Sequence, residues 1–179
     1  AERARDDRAD KARLKQLEEA YQKAQEAADQ FVATDEFSQI IDRAGGVGLN
    51  ASTSNDATRY YYSLPSNKLE LWFSLESARF LDPVIRDYYK ERDVVMEERR
   101  MSVESQPVGK LFEEFFAIAY KAHPYGQPVV GHRSEITRLR RHEAAEYFKR
   151  NYVASALTAV LVGDVSAAEV RRLAESYFG

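Results

Sequence analysis

The sequence predicts an α+β fold, and three observations lead to this prediction. Apolar residues recur at helical spacing in several segments, whereas residues 47–53 and 58–64 have the composition of β-strands. Helical and extended segments do not alternate strictly, as they would around a parallel sheet. At 179 residues the chain has the length of one ordinary domain with its own core.

The first 43 residues predict a charged lead-in followed by two helices. Residues 1–11 are charged and lack apolar periodicity, so we expect a loop or a frayed end. Residues 12–32 have apolar side chains at alternating three- and four-residue steps, as in an amphipathic helix. These side chains are Leu14, Leu17, Tyr21, Ala24, Ala28 and Phe31. The spacing also suits a coiled-coil seam, but it lasts only about three heptads, so we expect a helix that packs on its own domain. A shorter helix over residues 34–43 should end at Gly45-Gly46.

Two strands are expected after this glycine pair. Residues 47–53 alternate apolar side chains with small or polar ones, and residues 58–64 are rich in Thr and Tyr. Ser54-Asn55-Asp56 lies between the two segments and has the composition of a turn.

Helices dominate the prediction for the rest of the chain. They cover residues 68–81, 91–100, 110–120 and 144–152, and a last helix runs to Tyr177. Ser166 and Glu169 have capping-box spacing at the start of that last helix. Residues 156–162 form a near-continuous apolar run, which predicts a buried central strand.

The composition excludes several classes of protein. The net charge of −3, with acidic and basic residues interleaved, gives no basic surface for nucleic acid. No apolar run approaches the roughly 20 residues that span a bilayer. Cysteine is absent, which excludes disulfides, thiolate metal sites and cysteine nucleophiles. The chain starts at Ala1 without an initiator Met or a signal-peptide pattern, so we expect a fragment or a processed product.

Glu91 and Glu98 are the most informative pair of residues in the sequence. Residues seven apart lie nearly above one another on a helix, and Val94 and Val95 flank the line that joins them. The two carboxylates therefore lie within an apolar stripe, where an ionised group is costly unless it is paired or binds a metal. We expect a cation on this face. The alternative is that both residues belong to an exposed, salt-bridged helix.

Three blocks of sequence together resemble the pitrilysin/insulinase-like zinc metallopeptidases. Residues 45–54, with Thr58 and the tyrosines that follow it, resemble the glycine-Asn-Ala-x-Thr strand hairpin of that family. Residues 91–98 are similar to its glutamate helix, and residues 152–165 to its closing strand and turn. His123-Pro124-Tyr125-Gly126 fits the same pattern between them. The resemblance implies an α+β, processing-peptidase-like domain with a mostly antiparallel sheet packed against helices.

The resemblance also implies a zinc cofactor. These enzymes, the inverzincins, bind zinc through a His-x-x-Glu-His motif and through a glutamate on a later helix. On that match Glu98 is a zinc ligand, and Glu91 is the carboxylate that orients the site. The motif itself does not occur in the chain, so we expect it upstream of residue 1. Residues 1–35 would then be a charged lead-in with an inserted helix, and residues 36–179 the remainder of one N-terminally incomplete peptidase domain.

The three histidines are not expected to replace the missing motif. His123 is expected to be structural in its Pro-Tyr-Gly loop, and His132 is expected to lie in a loop. His142 is expected to face solvent on a helix.

The leading hypothesis is part of the catalytic domain of a zinc-dependent metalloendopeptidase that is inactive alone. The resemblance implies that Asn50, Ala51 and Ser52 form the strand edge that pairs with a peptide substrate. It also implies a second homologous domain or subunit. The alternative is a non-catalytic scaffold or partner subunit of the same family, and a helical interaction module built on residues 12–32 is a third hypothesis. Neither nucleic acid nor a membrane span is expected, and for localisation the resemblance alone points to the bacterial periplasm.

Overall fold

The chain divides into two compact units. A computed structural model describes residues 2–29, 35–85 and 87–179. The first unit comprises Ala1–Glu36 and the second Phe37–Gly179.

The first unit contains one long helix, α1, which spans Glu2–Asp29. The prediction of a loop or frayed end over residues 1–11 is therefore wrong. This stretch has neither Gly nor Pro and is rich in Ala and Arg, so it favours a helix even without apolar periodicity. The predicted helix end at residue 32, and the predicted start of the next helix at residue 34, lie outside the described residues.

From Glu36 onward, helices and one hairpin alternate with short turns. The elements are α2 (Glu36–Arg43), β1 (Val47–Thr53), β2 (Thr58–Ser63), α3 (Leu69–Leu81), α4 (Tyr88–Arg99), α5 (Pro107–Ala119), α6 (Arg133–Arg138), α7 (Arg141–Asn151) and α8 (Ala167–Phe178). A π-helical turn at Arg100–Glu104 continues α4, and 3₁₀ turns occur at Ser66–Lys68, Pro124–Gly126 and Ala154–Ala156. The predicted α+β class is confirmed. In the described part of the chain, no helix is both long and apolar enough to cross a membrane.

The C-terminal third departs most from the prediction. Residues 157–162 have no strand partner among the described residues, and Val160 and Val162 are 76% and 93% exposed. The predicted buried strand over residues 156–162 is therefore wrong in this chain. An apolar run favours burial, but it does not reveal which element would cover it. Helix α6 was not predicted, because six residues are too few to show helical periodicity. The cap of α8 is as expected, with the Ser166 hydroxyl accepting from the Glu169 amide at 3.2 Å.

Strands β1 and β2 form an antiparallel hairpin. The partners by Cα position are Asn50 with Tyr61, Ala51 with Tyr60, Ser52 with Arg59 and Thr53 with Thr58. The register is irregular between Val47 and Asn50, and within that interval Gly48 adopts a φ of +70°, which a side chain would disfavour. The turn closes where the Ser54 amide donates to the Ala57 carbonyl at 2.9 Å.

Phenol groups fix β2 to the helices. The Tyr62 hydroxyl donates to Oε1 of Glu76 in α3 at 3.0 Å, and Arg79 pairs with the other carboxylate oxygen of Glu76. The Tyr60 hydroxyl lies 2.9 Å from that of Tyr152, which directly follows α7. Burial raises the pKa of both Tyr60 and Tyr62 above the ordinary value, so both phenols remain protonated at neutral pH. The hairpin is thus attached to the helices mainly through its second strand.

Apolar contacts complete the support of the hairpin. Phe73 in α3 and Leu173 in α8 are both buried where these two helices pack together. Ile41 in α2 is fully buried below Gly46, where an added Cβ would lie 2.4 Å from Cγ2 of Ile41. Residue 46 must therefore be glycine for α2 to pack so close to the start of β1.

Substitution of Tyr62 by Phe tests the attachment of β2. The change should lower the free energy of unfolding by roughly 1.5 to 3 kcal/mol, because it removes a hydrogen bond to the buried Glu76 carboxylate. Tyr61→Phe is the matched control, since the Tyr61 side chain is 49% exposed on the same strand. It should change stability by less than about 0.5 kcal/mol. Urea denaturation measures both variants, and equal losses would show that the Tyr62–Glu76 contact adds nothing specific.

Candidate functional site

Glu91 and Glu98 lie on the exposed face of α4. Both side chains are exposed, and Val94 between them is 56% exposed. The covered face instead carries Arg99, which is only 7% exposed, together with the half-buried Met96. The expectation that the two carboxylates lie within a covered apolar stripe is therefore wrong in this chain. A helical wheel shows which residues share a face, but not which face the neighbouring elements cover.

Arg99 is the centre of a buried ionic network that orients α4. Its Nη2 donates to both carboxylate oxygens of Glu113 in α5, each at 3.0 Å, and its Nη1 donates to the Gly131 carbonyl at 2.7 Å. Its Nε lies 3.4 Å from Oε1 of Glu104 without forming a hydrogen bond. His132 lies 3.5 Å from Glu113 through Nδ1. The guanidinium thus bonds to a carboxylate and to a backbone carbonyl at once, and these contacts join α4 to α5 and to the segment before α6.

The π-helical turn Arg100–Glu104 follows directly after Arg99. Within it, the Ser102 hydroxyl donates to the Glu98 carbonyl at 2.8 Å. Gly109 in α5 lies against this turn, since an added Cβ would be 2.3 Å from the Ser102 carbonyl oxygen. Such wide turns are frequent at functional sites. The turn places Glu104 beside Arg99, whose Nε lies 3.4 Å from Oε1 of Glu104.

The outer edge of β1 carries Asn50, Ala51 and Ser52, all of them exposed. Residues opposite each other in an antiparallel pair alternate between pairs with and without mutual hydrogen bonds. Ser54 and Ala57 form a hydrogen-bonded pair at the turn, because the Ser54 amide donates to the Ala57 carbonyl. Counted back along the register from this pair, Ala51 and Tyr60 are a pair without mutual hydrogen bonds. The Ala51 amide therefore points away from β2. It donates instead to the side-chain Oδ1 of Asn50 at 2.8 Å.

The two groups of candidate residues lie on separate elements. Asn50, Ala51 and Ser52 are consecutive on β1, and Glu91 and Glu98 are two turns apart on α4. Among the described residues, no hydrogen bond or ion pair joins one group to the other. The role assigned to each of these residues remains a prediction.

The described residues do not by themselves form a complete zinc site. Among them, no group of three His, Asp or Glu side chains is placed to hold a metal ion. His123 accepts from the Tyr125 amide at 3.2 Å, and His132 contacts Gln127 at 3.0 Å through Nε2. His142 is exposed on α7. Catalytic zinc takes three protein ligands, so Glu98 could supply one oxygen ligand of a site whose other ligands lie elsewhere.

The sequence model of the family Insulinase (Peptidase family M16) matches residues 29–133, more than half of the chain, and the chain belongs to this family. It is 33% identical over 145 residues to the zinc protease PqqE of Helicobacter pylori, a match that covers 80% of this chain and 32% of that protein. It is 30% identical over 139 residues to a probable mitochondrial-processing peptidase subunit beta of Schizosaccharomyces pombe, covering 75% and 30%.

The fold is also shared with a solved structure. A crystal structure of a protease from Helicobacter pylori superposes with a TM-score of 0.76 at 32% sequence identity, and the match covers 82% of this chain and 36% of that one. The expected family is thus confirmed. The chain spans about a third of the length of the curated relatives it matches.

Two neighbouring arginines offer a matched test of the buried network. Arg99→Met should lower the free energy of unfolding by about 3 kcal/mol, because it leaves the Glu113 carboxylate without its partner. Arg100 is exposed, and its partner among the described residues is Glu97, at 2.6 Å, so Arg100→Met should leave stability unchanged within error. Thermal and chemical unfolding of the two variants measure the difference. A similar stability for both would mean that the network does not hold α4 in place.

Proposed function

We propose that the chain is part of the catalytic domain of a zinc-dependent metalloendopeptidase that cleaves peptides or unfolded segments. Membership of the insulinase family and the zinc protease relatives support the class of enzyme. Within this chain, the observation that supports the proposal is the outer edge of β1. It is an exposed strand edge with an outward amide at Ala51, on a hairpin that is fixed to the helices through its other strand.

An extended peptide fits this edge as one more strand. Main-chain hydrogen bonds would supply the affinity, and the Ala51 amide is the first donor available to them. In the absence of a peptide, Oδ1 of Asn50 satisfies this amide, so a substrate carbonyl would replace a side-chain acceptor rather than fill an empty position. Ala51 and Ser52 have little bulk, which leaves room for a second backbone. Broad specificity for flexible peptides follows, because the backbone contacts do not depend on the side chains of the substrate.

Glu98 is proposed as the zinc ligand that this chain contributes, with Glu91 as the carboxylate that orients the site. Their exposure on one face of α4 supports this assignment, since a ligand shared with residues outside the described chain must be accessible to them. The remaining ligands and the general base would come from a His-x-x-Glu-His segment that these 179 residues do not contain. No catalytic step is assigned to the residues in hand.

The wider organisation of the protein is proposed on the family alone. Residues 1–35 would be a helical insertion into a peptidase domain that resumes at residue 36. A second homologous domain or subunit would close the cleft around the peptide, and the bacterial periplasm remains the expected compartment.

In the complete protein, Glu98→Gln should strip or weaken bound zinc while the fold stays intact, because an anionic ligand is replaced by a neutral one of the same shape. Glu91→Gln should lower metal affinity or turnover by about 10- to 100-fold. Glu97→Gln is the control, since Glu97 is an exposed neighbour that pairs with Arg100. Elemental analysis and circular dichroism measure zinc and fold. Full zinc content in Glu98→Gln would refute the ligand assignment. If the complete wild-type protein binds peptide but no zinc, the alternative of a non-catalytic scaffold is correct.

Ala51→Pro tests the substrate edge. Proline lacks an amide hydrogen, but at Ala51 that hydrogen points away from β2, so the hairpin should tolerate the change. We expect a raised KM or loss of cleavage in the complete protein with zinc content unchanged. Ala51→Ser keeps the amide and should behave like the wild type. Wild-type kinetics in Ala51→Pro, with fold and metal intact, would show that the substrate binds elsewhere.

A further inference from the structure

A loop that is distant in sequence holds the tip of the β1–β2 hairpin. The Tyr125 hydroxyl donates to Oδ2 of Asp56 at 2.6 Å across a separation of 69 residues. Asp56 lies in the turn between the two strands, next to Ala57, whose carbonyl accepts the bond that closes the turn. Tyr125 therefore contacts the hairpin at the one point where β1 and β2 are joined.

The ring of Tyr125 is itself held in place. The Tyr125 amide donates to Nδ1 of His123 at 3.2 Å, and the His123 ring lies edge-on to the Tyr125 ring with 4.5 Å between the centroids. The Tyr120 ring lies 5.8 Å away, just after the end of α5. Gly126 comes so close to this helix end that an added Cβ would lie 2.6 Å from the Tyr120 carbonyl oxygen. The phenol is thus presented to Asp56 from a loop that is docked on α5.

The hydrogen bonds of Tyr60 and Tyr62 hold β2 and not the turn, so the position of the turn depends on the bond between Tyr125 and Asp56. Tyr60 and Tyr62 fix the middle and the end of β2, whereas residues 50–53 of β1, next to the turn, are exposed. A two-stranded hairpin is marginally stable on its own, and it gains order from packing against other elements. An incoming strand must meet β1 at a defined angle and register, because its hydrogen bonds are directional.

We propose that Tyr125 is a positioning residue for peptide binding, because its bond to Asp56 sets the orientation of the outer edge of β1. This inference rests on the proposed function. Tyr125 does not touch the peptide, and it acts through the hairpin turn. Losing its hydroxyl should therefore weaken peptide binding more than it weakens turnover of bound peptide.

The chain contains a closely matched control in Tyr177. Its hydroxyl donates to Oε1 of Glu70 at 3.1 Å, and both tyrosines are half-buried with exposed carboxylate partners. In both cases the hydrogen bond to the carboxylate raises the pKa of the phenol, so each is a protonated donor at neutral pH. Only Tyr125 contacts the hairpin. Tyr125→Phe and Tyr177→Phe thus remove the same kind of bond at two places in the fold.

The experiment compares these two variants in the complete protein. Steady-state cleavage gives KM and kcat, and fluorescence anisotropy of a labelled, unstructured peptide on chelator-treated protein gives Kd without cleavage. Tyr125→Phe should raise KM and Kd by about 3- to 10-fold with kcat nearly unchanged, as expected for one lost hydrogen bond. It should also speed amide hydrogen exchange in β1. Asp56→Ala should raise KM and Kd to the same extent. The double variant should bind peptide no more weakly than the single variant with the higher Kd, because both changes remove the same hydrogen bond.

The outcomes separate the inference from the function on which it rests. Wild-type KM, Kd and hydrogen exchange in Tyr125→Phe would overturn the positioning role of Tyr125. Equal changes in Tyr125→Phe and Tyr177→Phe would also overturn it. Ala51→Pro is measured alongside as a test of the strand edge itself. If Ala51→Pro binds peptide normally, the strand-edge part of the proposed function fails, because the peptide then binds elsewhere. If Ala51→Pro loses binding while Tyr125→Phe keeps it, only the positioning role fails.

Discussion

The buried ion pair between Arg99 and Glu113 is the interaction on which the arrangement of α4 depends. Burying an arginine is costly unless its charge and its donors are satisfied, and here one carboxylate and one backbone carbonyl accept its hydrogen bonds. Because Arg99 faces α5 and the Gly131 carbonyl, these elements cover one side of α4 and leave uncovered the face that lies roughly 80–100° around the helix axis from Arg99. That face carries Glu91 and Glu98. The network therefore sets which side of α4 is covered, and the two carboxylates lie on a side that is not.

A second constraint acts on the hairpin. Three phenol groups, those of Tyr60, Tyr62 and Tyr125, bond the hairpin to helices and to a loop far away in sequence. Exposed strand edges pair readily with other chains, and folded proteins usually cover or distort them. Here the side chain of Asn50 covers one outward amide with an acceptor that can be displaced. Such an edge can receive a peptide, while the rest of the hairpin stays fixed.

The sequence predicted what depends on local chemistry. The hairpin followed from strand composition on either side of a turn, and the cap of α8 followed from the spacing of Ser166 and Glu169. It could not predict features that depend on distant partners. Arg99 lies in a run of charged residues typical of a solvated face, and its partner Glu113 is 14 residues away on another helix. Tyr60 meets Tyr152 across 92 residues. The prediction of a strand over residues 156–162 was wrong for the same reason, because the burial of this run depends on neighbouring elements that the local sequence does not reveal.

A structure of the complete protein with an uncleaved peptide bound would test the central claim most directly. The claim is that β1 receives the peptide as an additional strand, on a hairpin held by Tyr60, Tyr62 and Tyr125. The account predicts a peptide backbone beside β1 that accepts a hydrogen bond from the Ala51 amide, with the Asn50 side chain displaced and the Tyr125–Asp56 bond intact. A peptide bound away from β1, with Asn50 still covering the Ala51 amide, would contradict it.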